Sequence, residues 1–90
     1  MLENLSELLA ILATVFGTLM SLGYFPQTFK IIKRKSSADV SVTTYLIFTP
    51  GILIWLLYGI SLNNLALILS NVVALIGAFS IIITYFYYRK

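Results

Sequence analysis

Two long uncharged stretches, separated by a short basic cluster, set the pattern of this chain. No charged residue lies between Leu8 and Phe29, and none between Val40 and Tyr88. Lys30, Lys33, Arg34, Lys35 and Asp39 separate the two stretches, and Arg89-Lys90 follows the second. A helix rises about 1.5 Å per residue, so crossing ~30 Å of hydrocarbon takes about 20 apolar residues. The first stretch supplies one span, with Leu5 to Phe25 as its apolar body. The second is too long for one helix and contains one polar, turn-like break, Ser61-Leu62-Asn63-Asn64. Dividing it there predicts an all-α membrane protein. Its three-transmembrane-helix bundle covers residues 5–29, 42–60 and 65–87, as one unit over 1–90.

Composition agrees and removes whole classes of function. Apolar residues make up 60% of the chain and charged ones 10%, where a soluble domain carries about 25% charged residues. Such a chain could not cover a water-exposed surface. With no cysteine, no histidine and only Glu3, Glu7 and Asp39 as acids, it has no disulfide framework, no common zinc site and no Ser-His-Asp hydrolase arrangement. No metal, cofactor or enzymatic chemistry is expected.

The basic residues explain themselves by topology. All six fall in the first loop or at the C-terminus, which three spans place on one side. By the Lys/Arg bias that side is cytoplasmic and the N-terminus lies outside. Contact with lipid headgroups follows, and nucleic acid is not a partner. Tyr85-Phe86-Tyr87-Tyr88 reads as an interfacial aromatic anchor at the cytoplasmic boundary. The segment before span 1 carries Glu3 and Glu7 rather than lysines, and no small-residue cleavage site follows. Span 1 therefore reads as a retained helix rather than a signal peptide.

Inside the spans, helix breakers and polar groups carry the information, because hydrocarbon penalises both. Pro26 removes an amide donor and clashes with the preceding turn, so span 1 should kink or break near Tyr24-Phe25. Gln27 beside it could donate to a freed carbonyl. Pro50-Gly51 predicts a bend in the middle of span 2. Trp55 and Tyr58 lie three apart and share a helix face. They suit either an interfacial belt or a stacking platform for a sugar ring. Asn71, about two turns into span 3, should face a helix interface or an aqueous cavity. Its amide offers two donors and an acceptor, which suits a neutral polyhydroxy ligand. Ala66, Ser70, Ala74 and Ala78 form a four-residue ladder of small side chains that lets another helix approach span 3. Asn71 sits about 100° round from that ladder. The uncharged stretches offer no acid, base or histidine as a proton relay, which favours a neutral solute moving down its own gradient.

These residues form a pattern. Gly23-Tyr24-Phe25-Pro26-Gln27 with Lys30, then Ser36-Ser37-Ala38-Asp39-Val40-Ser41, resembles the PQ-loop signature. Trp55-Leu56-Leu57-Tyr58-Gly59, with Asn71 in Leu69-Ser70-Asn71-Val72-Val73, is similar to the bacterial SemiSWEET sugar transporters, and the likeness runs from about Leu9 to Tyr88. The resemblance implies that Trp55 and Asn71 contact the sugar in a central pocket near the bilayer midplane. It implies that Tyr58 belongs to the extracellular gate and that Pro26 and Gln27 form the hinge. It also implies helix packing in the order 1-3-2, and two parallel copies around one path in the bacterial cytoplasmic membrane. Where some relatives have an Arg and an Asp after the gate tyrosine, this chain has Leu62 and Asn64, so no ionic outer gate is available. Either hydrogen bonds among Tyr58, Asn63 and Asn64 close the gate instead, or its closure is weaker.

A homodimer also follows from the residues. Three helices do not easily surround a hydrophilic route, yet Asn71 must face something polar. Two-fold pairing would place two Trp55 and two Asn71 about one axis. The expected activity is facilitative transport of a small neutral mono- or disaccharide by alternating access. The alternatives are a PQ-loop carrier of another neutral solute such as an amino acid, or a small structural or pore-forming membrane subunit.

Overall fold

In the computed structural model the described residues run from 2 to 89. The side chains of Leu2 and Glu3, and all of Met1 and Lys90, lie outside them. Among the described residues the chain forms four helices: α1 (Leu2–Leu22), α2 (Tyr24–Arg34), α3 (Val42–Ser61) and α4 (Leu65–Tyr87). Helices α1 and α2 follow each other across Gly23, so three spans are long and apolar enough to cross a membrane.

Two features of span 1 have a local cause. Its break falls at Gly23, directly before Tyr24-Phe25 and so where expected. Pro26 has no N–H to give the Leu22 carbonyl four residues back, and its ring would collide with that carbonyl. Helix α1 therefore ends at Leu22, and the Gly23 N–H turns to the Met20 carbonyl at 3.1 Å. Pro26 then sits in the first turn of α2, where a missing N–H breaks no bond of that helix. The second feature is length. Lys30, Lys33 and Arg34, assigned above to a loop, are helical. Charge ends an apolar run but not a helix, and cations near a helix C-terminus favour its dipole. Lys35 closes α2 in the left-handed conformation (φ 53°), with the Lys35 and Ser36 N–H groups donating to the Ile32 and Ile31 carbonyls. That is a Schellman cap. The exposed Arg34–Asp39 ion pair, at 2.7 Å, adds little stability in water.

The polar break works the same way. Asn63 takes the left-handed conformation (φ 54°), and the Asn64 N–H returns to the Gly59 carbonyl at 2.9 Å. Asn64 then starts α4 as its N-cap, accepting the Leu67 N–H at 3.2 Å. Helix α3 continues through Pro50, and the Thr49 hydroxyl donates to the Tyr45 carbonyl at 2.7 Å, beside the carbonyl that Pro50 leaves unbonded.

Helix α4 is the centre of the molecule. It contacts α1, α2 and α3, while no backbone contact among the described residues joins α3 to α1 or α2. Ala74, Ala78 and Ile81 of α4 are buried, as are Ile31 of α2 and Ile52 of α3, and Ile52 packs with Ala74 and Ala78 against Tyr24 and Leu75. The spans thus lie side by side in the order 1-3-2, in a slab of 55 × 22 × 14 Å. Glycines allow the close approaches. A Cβ at Gly59 would lie 2.6 Å from Leu67 Cβ, and one at Gly77 would lie 2.5 Å from Tyr24 Cβ. Hydroxyls tie the remaining seams. Ser21 donates to the Ser70 carbonyl at 2.7 Å, and Thr28 and Ser80 share a hydrogen bond of 2.7 Å. Ser37, almost fully buried, donates through its hydroxyl to the Tyr85 carbonyl at 2.9 Å and through its N–H to Tyr88 at 3.2 Å. Carbonyls at the C-terminal end of α4, which a helix leaves unbonded, are satisfied by the loop that leaves α2.

Candidate functional site

Because the α3 backbone stays clear of α1 and α2 among the described residues, the slab carries a groove floored by α4. Two cavities lie along it. The first, about 280 Å³, is lined by Gly17 and Ser21 of α1, Tyr24 of α2, Ile52 of α3, and Ser70, Asn71 and Ala74 of α4, with Met20 at its edge. The second, about 330 Å³, lies among Met20, Gly23, Tyr24, Tyr45 and Phe48.

Asn71 is the polar centre of the first cavity. It is half-buried, and its amide donates to the Leu67 carbonyl of its own helix at 2.7 Å. No hydrogen bond ties it to another helix, so it does not glue helices together. Among the described residues its side-chain oxygen and second N–H have no protein partner. They are open to the groove rather than buried, so this acceptor and donor are free to meet a ligand hydroxyl there.

Trp55 does not line that cavity. It stands one helical turn beyond Ile52 on α3, 56% exposed, with its ring edge-on to Tyr58 at 5.9 Å and 77°. Depth relates it to Asn71. Asn71 lies six residues from the start of α4 at Leu65, and Trp55 six residues from the end of α3 at Ser61. At ~1.5 Å per residue both stand about 9 Å from the turn. The platform and the amide therefore share a level on two neighbouring helices.

The outer-gate candidates are not joined within one protomer. Tyr58 is half-exposed on α3, and its carbonyl accepts the Ser61 hydroxyl at 2.7 Å. Asn64 caps α4 and borders a separate apolar crevice of about 460 Å³ with Ala10, Ile11, Thr14 and Val15 of α1. No hydrogen bond joins the Tyr58 hydroxyl to Asn63 or Asn64 among the described residues. Gln27 lies on the other side of the groove, half-buried in a small polar recess with Lys30, Arg34 and Asp39. It donates to no freed carbonyl among the described residues, and the Gly23 N–H goes to the Met20 carbonyl, not to the Leu22 carbonyl that Pro26 leaves without its donor.

The sequence reading passed over Ser21, Tyr24 and Tyr45. The one available signal was that Tyr24 directly follows the break imposed by Pro26. The Tyr24 and Tyr45 rings meet across the groove edge-on, with centroids 6.1 Å apart.

Comparison with known proteins resolves the family. Residues 7–90 match a family described as sugar efflux transporters for intercellular exchange. The sugar transporter SemiSWEET of Leptospira biflexa is 34% identical over 61 residues, covering 68% of this chain and 72% of that protein. The chain belongs to the SemiSWEET family. A crystal structure of a bacterial homologue of SWEET transporters superposes with a TM-score of 0.85 at 32% identity, covering 90% of this chain and 98% of that one. An uncharacterised protein of the archaeon Methanocaldococcus jannaschii is 33% identical over 85 residues, 94% of this chain and 89% of that protein. The SemiSWEET family is one of membrane transporters, not of enzymes.

Proposed function

We propose that this protein carries a small neutral sugar down its gradient by alternating access, as a parallel homodimer. The observation that supports this best is the groove. One protomer is a slab with a half-walled channel and an amide left unmet inside it, so it lacks the wall that a translocation path needs. A second copy, related by a two-fold axis along the membrane normal, supplies that wall and brings two Asn71 and two Trp55 to one level.

In this reading the sugar stacks on Trp55 and hydrogen-bonds to Asn71. Tyr58 closes the outer end against the partner, with Asn64 close by at the α4 cap. Gly23 and Pro26 let the α2 arm, with Gln27, bend relative to α1, and the two halves rock about the fixed site. No fixed charge faces Asn71 in its cavity, which favours a neutral polyol over a zwitterion and needs no coupling ion. The basic loop and the C-terminus face the cytoplasm, and the N-terminus faces outside, in the cytoplasmic membrane.

Two expected outcomes follow here. Trp55 is the chain's single tryptophan, so its emission reports the site alone. Titrating the detergent-purified dimer with glucose and with sucrose is expected to shift that emission saturably with at least one of them, and glycine is not. Saturation by glycine with no response to either sugar would overturn the substrate class. Pro26→Ala restores the donor to the Leu22 carbonyl and fuses α1 with α2. Transport by this variant is expected to fall severalfold with the dimer intact, because a broken helix is replaced by a stiff one. An unchanged rate in proteoliposomes would remove the hinge from the mechanism.

A further inference from the structure

We propose that Tyr24 is the inner partition of the groove and that Gly77 is the seat that holds it there. This rests on the reading above, in which a solute moves along the groove. It adds a barrier residue and a positioning residue to which the resemblance assigned no role.

Four observations converge on Tyr24. It borders both groove cavities, and the only other residue common to them is Met20, which is 78% exposed. Its ring reaches across to Tyr45 on α3, and Tyr45 in turn meets Phe48 edge-on at 6.4 Å. Among the described residues these rings make the one aromatic contact between span 1 and span 2, whose backbones do not touch. Its level also fits a barrier. Gly77 lies twelve residues into α4, about 18 Å from the turn at ~1.5 Å per residue and twice as deep as Asn71. A solute held at Asn71 therefore meets Tyr24 next on its way towards the basic loop.

The seat is steric. A Cβ at position 77 would lie 2.5 Å from Tyr24 Cβ and 3.1 Å from its Cγ, inside any tolerable carbon–carbon contact. Only glycine lets the first residue of α2 rest on α4, and Tyr24 directly follows the break at Gly23. The ring thus belongs to the arm that moves. When α2 swings away from α4, Tyr24 leaves its seat and its contact with Tyr45, and the two cavities join.

The test uses the absence of cysteine from the chain. Ser70→Cys puts a single thiol in the Asn71 cavity, and a membrane-impermeant thiol reagent is applied to vesicles from each face separately. With Tyr24 and Gly77 intact, labelling from the basic-loop face is expected to be slow. Tyr24→Ala is expected to raise that rate about tenfold, the size of a modest population shift, and to leave labelling from the opposite face unchanged. Gly77→Ala is expected to raise it in the same one-sided way. Adding Gly77→Ala to Tyr24→Gly is expected to change nothing further, since the steric partner is gone. An unchanged or reduced rate in Tyr24→Ala overturns the partition. A rise from both faces marks general loosening and overturns it as well. An equal effect of Gly77→Ala with and without the Tyr24 side chain overturns the seat. Labelling needs no transported solute, whereas protection of the same thiol by sugar tests the substrate. Loss of protection with the one-sided pattern kept would sink the sugar reading alone.

Discussion

Replacing Asn71 with alanine is expected to lower sugar exchange by roughly tenfold or more while leaving the dimer assembled. The Asn71 side chain makes one hydrogen bond inside the protein, to the Leu67 carbonyl of its own helix, and that carbonyl already lies within a regular helix. Losing the bond costs the fold little. A bound sugar loses more. A neutral hydrogen bond is worth about 1 kcal/mol, and a buried hydroxyl left without a partner costs about 1–3 kcal/mol. With one amide lost from each protomer the deficit is about 2 kcal/mol, above the ~1.4 kcal/mol that makes a factor of ten. The check is initial exchange rate in proteoliposomes, with assembly verified by gel filtration. A rate within twofold of the parent would remove Asn71 from the site.

Gly59→Leu is expected to give the largest loss of stability. A Cβ at Gly59 lies 2.6 Å from Leu67 Cβ and 3.3 Å from the Ile68 nitrogen. Both neighbours are fixed parts of α4, not the far ends of flexible side chains. Helices α3 and α4 would have to separate by about 1 Å just where the turn joins them, and overpacking of this kind costs about 1–3 kcal/mol or more. The gain in helix propensity on leaving glycine is only about 0.8–1 kcal/mol and does not offset it. Thermal denaturation in detergent should show a lower midpoint and loss of dimer. Gly51→Leu is the control, because a Cβ there meets nothing within 4 Å, and its midpoint should stay close to the parent's. Equal behaviour of the two variants would contradict the packing described.

Much of the architecture was legible from the sequence because hydrocarbon imposes simple rules. An uncharged stretch too long for one helix must turn, and Ser61–Asn64 was the one polar place to do so. The small residues from Ala66 to Ala78 announced that the last span would be the crowded one, and α4 is in contact with every other helix. What stayed hidden needed three dimensions or a local choice between partners. Hydropathy registers where apolar residues stop, not where a helix stops, so the extension of α2 through Lys30, Lys33 and Arg34 was invisible. Pro26 located the fault in span 1 to within a residue, and its place depends on Gly23 taking up the turn. Asn71 was correctly picked as a polar group that must be accommodated. That its amide would bond back to Leu67, keep the rest free and face a groove could not be read from spacing. The seats at Gly59 and Gly77 were plain glycines in apolar helices until Leu67 and Tyr24 were found resting on them.

The central claim is that this protein is a carrier with one alternately exposed sugar site, not a pore and not a structural subunit. Counterflow tests it most directly. Proteoliposomes of the purified protein are loaded with unlabelled sugar, diluted into a trace of the same radiolabelled sugar without a proton gradient, and followed in time. The account predicts a transient accumulation of label inside above its external level for glucose or sucrose, lost in Trp55→Ala and Asn71→Ala. A pore gives equilibration with no overshoot, and a structural subunit gives nothing. Either result, from a dimer that is demonstrably intact, would contradict the account.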